Sequence, residues 1–215
     1  MAKLKFYHGI MSSGKTTDLI QTAYKYNSTG KKAIIVKPII DTKGANTVEN
    51  RAGWKLPADV LLKPDESIID SLDILMKATC ILVDEAQFLS PKQVQEFYYI
   101  TKELNINVIC YGLSKDFKGQ LFPGSSALFQ YSDVKDELMA VCSTPGCNHT
   151  ARYNARKVNG EYVFDGPQVF IGADEAYDPL CASCYIKYVL RPKSSEFQDM
   201  ESKFKSKVKT LRKEN

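Results

Sequence analysis

The sequence predicts an α/β fold: a P-loop NTPase-like parallel sheet flanked by helices, with a small zinc-binding domain built on four cysteines. Three observations predict it. Short apolar runs of strand length, Ala33-Ile34-Ile35-Val36, Cys80-Ile81-Leu82-Val83 and Val108-Ile109-Cys110-Tyr111, alternate with segments of helical period, the pattern of a parallel sheet covered on both faces. The run Gly9-Ile10-Met11-Ser12-Ser13-Gly14-Lys15-Thr16 fits G-x-x-x-x-G-K-[ST] in full. Two close cysteine pairs, Cys142/Cys147 and Cys181/Cys184, stand in the last third of the chain. A length of 215 residues suffices for one substantial core with a small appendage.

Element by element, Leu4 to His8 reads as a strand ending at a glycine turn, and Thr16 to Tyr26 as a helix with Leu19, Ile20, Ala23 and Tyr24 on one face. Ala33 to Val36 is a second strand, stopped by Lys37-Pro38. Asp41 to Gly53 is polar and aperiodic and is expected to be a mobile loop. Ile68, Ile69, Leu72 and Leu75 predict a helix, Cys80 to Val83 a buried strand. Ser90-Pro91 caps and starts a helix reaching about Leu104, and Val108 to Gly112 is a further buried strand. From about Leu138 the texture changes to cysteine pairs and a hairpin signal around Asn159-Gly160. The expected division is therefore a nucleotide-binding domain over 1–138, a zinc-binding domain over 139–192 and a basic tail over 193–215.

The motif explains itself physically. Its glycines let the backbone curl so that successive N–H groups point at phosphate oxygens, Lys15 adds a positive charge, and the Thr16 hydroxyl suits Mg²⁺. The helix starting near Thr16 turns its positive end to the same anion. Gly9 to Thr17 is thus the candidate ATP site. The strand Cys80 to Val83 delivers Asp84 and Glu85 at its end, the layout of a Walker B element: Asp84 would support the magnesium, and Glu85 is suited to accept the proton of an attacking hydroxyl. Together these predict phosphoryl transfer from ATP to a small hydroxyl-bearing molecule.

The cysteine spacings, four and two intervening residues with thirty-three between the pairs, suit one closed tetrahedral zinc site, structural rather than catalytic because no position is left open. No stretch approaches the roughly 18 consecutive apolar residues of a bilayer span, and polar residues interrupt the N-terminus before a signal-peptide core develops. A cytoplasmic protein without a membrane partner is expected. Net charge is +4, of which the tail from Lys193 holds three. The near-neutral remainder argues against a nucleic-acid surface, and no Asn-Lys-x-Asp guanine element is present. In the tail, Phe197, Met200, Phe204, Val208 and Leu211 recur at helical spacing. An oligomer or domain contact is expected of it, with a membrane or nucleic-acid contact as the alternative.

Asp84-Glu85-Ala86-Gln87-Phe88-Leu89, Tyr111-Gly112-Leu113 with Asp116-Phe117, Gly119 to Ser125, and Ile171 to Tyr177 leading into Cys181, taken in order with the P-loop and the four cysteines, resemble the thymidine kinase family of the human-cytosolic and bacterial type over about residues 3–192. The resemblance implies an ATP-binding α/β domain and a zinc-tethered lasso, here about Gln168 to Tyr177, that closes over the nucleoside. It implies Glu85 as catalytic base, Gln87 on the nucleotide side, and Phe88, Leu113, Phe117 and Phe122 around the thymine. Tyr177 would pack on the nucleoside, and Val169, Ile171 and Gly172 would read the base edge through the backbone. Asp41 and Lys43 stand where the family shows Asp-x-Arg, so Lys43 or Arg51 is implied near the transferring phosphate. Thymidine, with deoxyuridine as a second candidate, is the implied substrate; a homotetramer and inhibition by thymidine triphosphate are further implications.

Overall fold

Each strand-length run of the sequence pairs edge to edge with another in a computed structural model, which describes residues 1–39, 46–168 and 177–214. The chain forms two compact units, Met1–Lys115 with Gln120–Ala140, and Asp116–Gly119 with Val141 to the C-terminus.

The first unit holds β1 (Leu4–Gly9), α1 (Lys15–Asn27), β2 (Ala33–Pro38), β3 (Thr47–Glu49), β4 (Lys55–Pro57), β5 (Val60–Leu62), α2 (Leu72–Leu75), β6 (Cys80–Val83), α3 (Pro91–Glu103), β7 (Asn107–Leu113), α4 (Pro123–Tyr131) and β8 (Val134–Leu138). Six strands make one sheet in the order β5-β2-β6-β7-β1-β8, and every pairing in it is parallel. The alternation of side chains along a strand divides the apolar residues between two cores. Phe6, Ile34, Val36, Ile81, Val83 and Cys110 face α3 and α4 through Val94, Phe97, Ile100 and Leu128. Ile35, Leu82, Ile109 and Tyr111 face α1 through Leu19, Ile20 and Ala23. Each fully buried Leu, Ile or Phe contributes about 1.5–3 kcal/mol to this arrangement.

The expected cap of α3 is present as a reciprocal pair: the Gln93 N–H donates to Ser90 Oγ at 3.2 Å and the Ser90 N–H to Gln93 Oε1 at 2.9 Å. Two segments differ from expectation. The helix foreseen over 68–75 opens as a 3-10 turn, Ile68–Ser71, where Ser67 Oγ accepts from the Ile69 N–H, and only one α turn follows. Within the expected loop 41–53, residues 41–45 lie outside the described ones, but Thr47–Glu49 pairs with Lys55–Pro57 as an antiparallel hairpin. The Asn50 carboxamide oxygen builds its turn by accepting from the Ala52 and Trp54 N–H groups, both at 3.0 Å, and Gly53 supplies a positive φ of 83°. Asn50 encodes that turn; hydrophobic period does not.

The chain leaves the first unit through β9 (Ala140–Val141). The second unit contains β10 (Thr150–Ala151), β11 (Tyr153–Val158), β12 (Glu161–Tyr162), β13 (Tyr177–Leu180), α5 (Ala182–Tyr185), a π-helical turn Ile186–Leu190, α6 (Arg191–Lys193) and α7 (Ser195–Glu214). β11 and β12 form the hairpin foreseen at Asn159-Gly160, whose φ values of 52° and 81° suit a two-residue turn. β13 pairs antiparallel with β11, setting Tyr177 opposite Arg156. Among the described residues no helix is long and apolar enough to cross a membrane.

Candidate active site

Parallel strands direct all their C-terminal ends to one edge of the sheet, where ligands of such folds collect. Here β1 runs into the glycine-rich loop, β6 into Asp84-Glu85 and β7 into Leu113, with Val83 level with Cys110 and Gly9 level with Leu113. The register follows from the buried strands, whose one-residue slip would expose a whole core face.

The loop backbone has left-handed residues at Ser12, φ 63°, and Gly14, φ 80°, a conformation that gathers N–H groups into an anion-binding concavity at the start of α1. Gly9 is tightly constrained: a Cβ there would lie 2.5 Å from both Leu138 O and Ser13 Oγ. Ile10 is buried, Met11 and Ser13 half-buried. Lys15 Nζ folds back onto Ile10 O at 2.7 Å and Ser13 Oγ at 3.4 Å. Burial lowers the Lys15 pKa, against the opposing pull of Glu85 and Asp84. Thr16 and Thr17 open the helix half-buried, and the Asn50 carboxamide donates to Thr17 Oγ1 at 3.1 Å, tying the β3–β4 turn to the loop. On that same turn Arg51 donates to Ser12 Oγ at 2.8 Å, which brings the second of the two expected cations to the phosphate loop. The first, Lys43, and its neighbour Asp41 lie outside the described residues, as do Val169, Ile171 and Gly172.

Asp84 is only 5% exposed. Burial, reinforced by the charge of Glu85, pushes its pKa up to about 7. Glu85 adopts φ 49° and ψ 37°, unusual for a residue with a side chain and stored where neighbours over-determine it. The chief neighbour is Gln87, 2% exposed. Its carboxamide oxygen accepts from the Leu113 N–H at 2.9 Å, and its nitrogen donates to Glu85 Oε2 at 2.5 Å. The Leu113 N–H has nothing to accept with, so it dictates which way the amide faces. Gln87 therefore serves the acidic pair, a role that its position two residues beyond Glu85 does not announce. Beside it Phe88 and Phe122 meet edge to face at 5.9 Å, and Ser125 Oγ donates to Leu113 O at 2.6 Å.

The second unit contains Phe117 and Tyr177. Phe117 is 1% exposed, with the Arg156 guanidinium 3.7 Å over its ring; the Tyr185 hydroxyl donates to its carbonyl at 2.5 Å. Tyr185 in turn stacks on Tyr153 at 4.3 Å. Arg156 also donates to Asp165 O and Pro167 O, at 2.5 and 2.9 Å, and Gln168 to Asp116 Oδ2 at 3.1 Å. Arg156 and Tyr153 carry no motif, and sequence reasoning missed them. Tyr177 is half-buried on β13.

The four cysteines meet as expected. Sγ of Cys142, Cys147, Cys181 and Cys184 all lie within 4.8 Å of one another, with separations of 3.7 Å from Cys147 to Cys181 and 3.8 Å from Cys147 to Cys184. A zinc–sulfur distance of about 2.3 Å requires tetrahedron edges of about 3.8 Å, so the set fits zinc. The surroundings fit thiolates as well: the Cys181 N–H donates to Cys142 Sγ at 3.3 Å and the Cys184 N–H to Cys181 Sγ at 3.5 Å. With all four ligands from protein, the cluster could hold zinc in a structural role.

The family model described as Thymidine kinase matches residues 2–185. Among known proteins, the thymidine kinase of Lactococcus lactis is 36% identical over 189 residues, covering 87% of this chain and 98% of its own length. That of Legionella pneumophila strain Lens is 38% identical over 193 residues, 87% and 90% of the two chains. That of Enterococcus faecalis is 37% identical over 187 residues, 86% and 95%. A glycine-rich phosphate loop and an acidic pair at the same edge of one parallel sheet, a four-cysteine cluster and relatives matched almost end to end lead to one conclusion: this chain belongs to the thymidine kinase family, enzymes that use ATP.

Proposed function

We propose that this chain transfers the γ-phosphoryl group of ATP to the 5′-hydroxyl of thymidine, with deoxyuridine as a second acceptor, yielding dTMP and ADP for nucleotide salvage in the cytoplasm. The observation that carries the reading is the Glu85 carboxylate, gripped by Gln87 at the end of β6 and electrostatically coupled to Lys15 of the phosphate loop.

Gly9 to Thr17 hold the ATP phosphates through backbone N–H groups and Lys15, and Arg51 neutralises charge on the transferring group. Thr16 and Asp84 would hold Mg²⁺, which would supply charge neutralisation for the phosphates; a carboxylate as buried as Asp84 suits a cation partner. Glu85 accepts the 5′-hydroxyl proton as the phosphoryl group moves in line, and Gln87 holds that carboxylate on target. Phe88, Leu113, Phe117 and Phe122 wall the base, and Tyr177 packs on the nucleoside. Backbone groups of Val169, Ile171 and Gly172 read the base edge, with Asp41 and Lys43 supporting the sugar and phosphate side. The four cysteines would hold zinc in a structural role at the base of that lasso. A homotetramer inhibited by thymidine triphosphate completes the proposal, and the domains run 1–138, 139–192 and 193–215.

The test is transfer of label from γ-labelled ATP to thymidine, deoxyuridine, deoxycytidine and deoxyguanosine by the native enzyme and Glu85→Gln. Label is expected on thymidine, and Glu85→Gln is expected to lose about 10²–10⁴-fold in turnover while still binding ATP. Near-normal turnover of that variant would remove Glu85 from the chemistry; label on a purine nucleoside alone would remove thymidine.

A further inference from the structure

Asn50 is only 8% exposed although it stands at the turn of a hairpin whose strands are largely open to solvent. The stem of that hairpin is fixed from within. Val48 is fully buried in the core shared with Leu19 and Ile20 of α1, and Lys37 Nζ, at the end of β2, donates to Thr47 O at 2.8 Å.

Every polar group of Asn50 is engaged. Its N–H donates to Trp54 O and its carbonyl accepts from the Gly53 N–H, both at 3.0 Å. Its side-chain oxygen accepts from the Ala52 and Trp54 N–H groups. Those two partners can only donate, so they orient the amide, and its nitrogen faces Thr17 Oγ1 at 3.1 Å. One carboxamide thus has two functions: the oxygen folds the turn, and the nitrogen fastens the folded turn to the start of α1.

The next residue, Arg51, depends on that fastening. Its guanidinium rests on Ser12 Oγ at 2.8 Å, but both residues are exposed, and a hydrogen bond of this kind contributes only about 1 kcal/mol. Such a bond is too weak to hold a long side chain by itself. It is readily exchanged for a phosphate oxygen, whose charge makes it the stronger acceptor. The Arg51 backbone, set by buried Asn50, stays constant through the exchange, so that part of the ordering cost is met before the reactants arrive.

We propose that Asn50 is a positioning residue: by latching the β3–β4 turn to Thr17 it presents Arg51 to the transferring phosphoryl group. The inference rests on the proposed role of Arg51 in neutralising charge on that group.

A double-mutant cycle in the full-length enzyme tests it, with kcat followed on whichever of the four nucleosides the native enzyme labels. Arg51→Ala should lower kcat about 10²-fold and Asn50→Ala about 10-fold, with KM for the nucleoside within about twofold. The double variant should match Arg51→Ala within about twofold, because a latch that acts through Arg51 then has nothing to present. Asn50→Ser is the second variant. Its hydroxyl still serves the turn but lacks the arm to Thr17, so it should keep Tm near native and reproduce the kinetic loss. Trp54, the only tryptophan, lies in the same turn, and its fluorescence anisotropy should fall in both Asn50 variants. A full tenfold loss on adding Asn50→Ala to Arg51→Ala would place the effect in the fold or in Thr17 and overturn the latch. Native kcat or unchanged anisotropy in Asn50→Ser would overturn it too. Native kcat in Arg51→Ala would remove Arg51 from the chemistry, and the inference with it, while leaving transfer to thymidine standing. A cycle that is non-additive on another nucleoside, with no label on thymidine, would overturn the acceptor and sustain the latch.

Discussion

Replacing Gln87 by leucine removes both arms of one carboxamide while keeping nearly its size. The first arm accepts from the Leu113 N–H at 2.9 Å; leaving that donor unpaired costs about 1–3 kcal/mol. The second donates to Glu85 at 2.5 Å, but Glu85 is half-buried and can recover solvent, so its loss adds little to instability. A net destabilisation of about 2 kcal/mol follows, a fall in Tm of about 4–8 °C for a chain of this size. The kinetic effect falls on turnover. A positioned base is worth about 10²–10⁴-fold, and a carboxylate that must find its own orientation forfeits part of it, so kcat should fall about 10–100-fold. The Lys15 and Ser13 contacts of the phosphate loop are untouched, so KM for ATP should stay within about twofold. Calorimetry and steady-state kinetics at saturating thymidine give both quantities. A variant with the lowered Tm but kcat within twofold of native would show that Gln87 supports the fold and does not position Glu85.

Three further outcomes follow from the same structure. A Cβ added at Gly124 would lie 2.5 Å from Leu89 O and 2.8 Å from Ala86 O and Gln87 O, so Gly124→Ala should cost about 1–3 kcal/mol in urea unfolding and lower turnover; Ser126→Ala, exposed two residues on, should do neither. Removing zinc with a chelator should release one ion per chain and speed hydrogen exchange in β11 and β13, and protection unchanged by its loss would deny the cluster a structural role. Asp133 is penalised by burial, yet hydrogen bonds from Lys102 and the Leu4 N–H hold its pKa below the usual carboxylate value. A depressed carboxylate stabilises above its unfolded pKa and loses that contribution as pH falls through the folded one. Asp133→Asn should therefore lower stability by about 1 kcal/mol at pH 7, less as salt is raised, and converge on native protein as pH falls below the usual carboxylate range.

What could be read from the sequence divides by the range of the interaction. Strands such as Cys80 to Val83 are legible because an apolar run of four has few other uses, and Ser90-Pro91 with Gln93 is legible because capping is local. The phosphate loop and the cysteines are legible because their chemistry dictates spacing. The β3–β4 hairpin escapes notice because its turn rests on one carboxamide, Asn50, within a polar stretch. The grip of Gln87 on Glu85 and the place of Arg156 escape for a deeper reason. Each is defined by partners distant in sequence, Leu113 for one and Phe117 for the other, and no local pattern encodes such a pairing.

The assignment of Asp116–Gly119 to the second unit bears on how this protein can be cut and rejoined. Phe117, which lies under Arg156 and accepts from Tyr185, is synthesised before the rest of that unit and is separated from it by α4 and β8. A fragment starting at residue 141 would carry the zinc ligands but lack the ring that fills its centre, so metal alone should not make it a folded module. Exchange of this unit between relatives must move the four-residue stretch along with the C-terminal part, as a graft in two pieces. During synthesis Phe117 emerges well before Arg156 and Tyr185, the two residues that hold it.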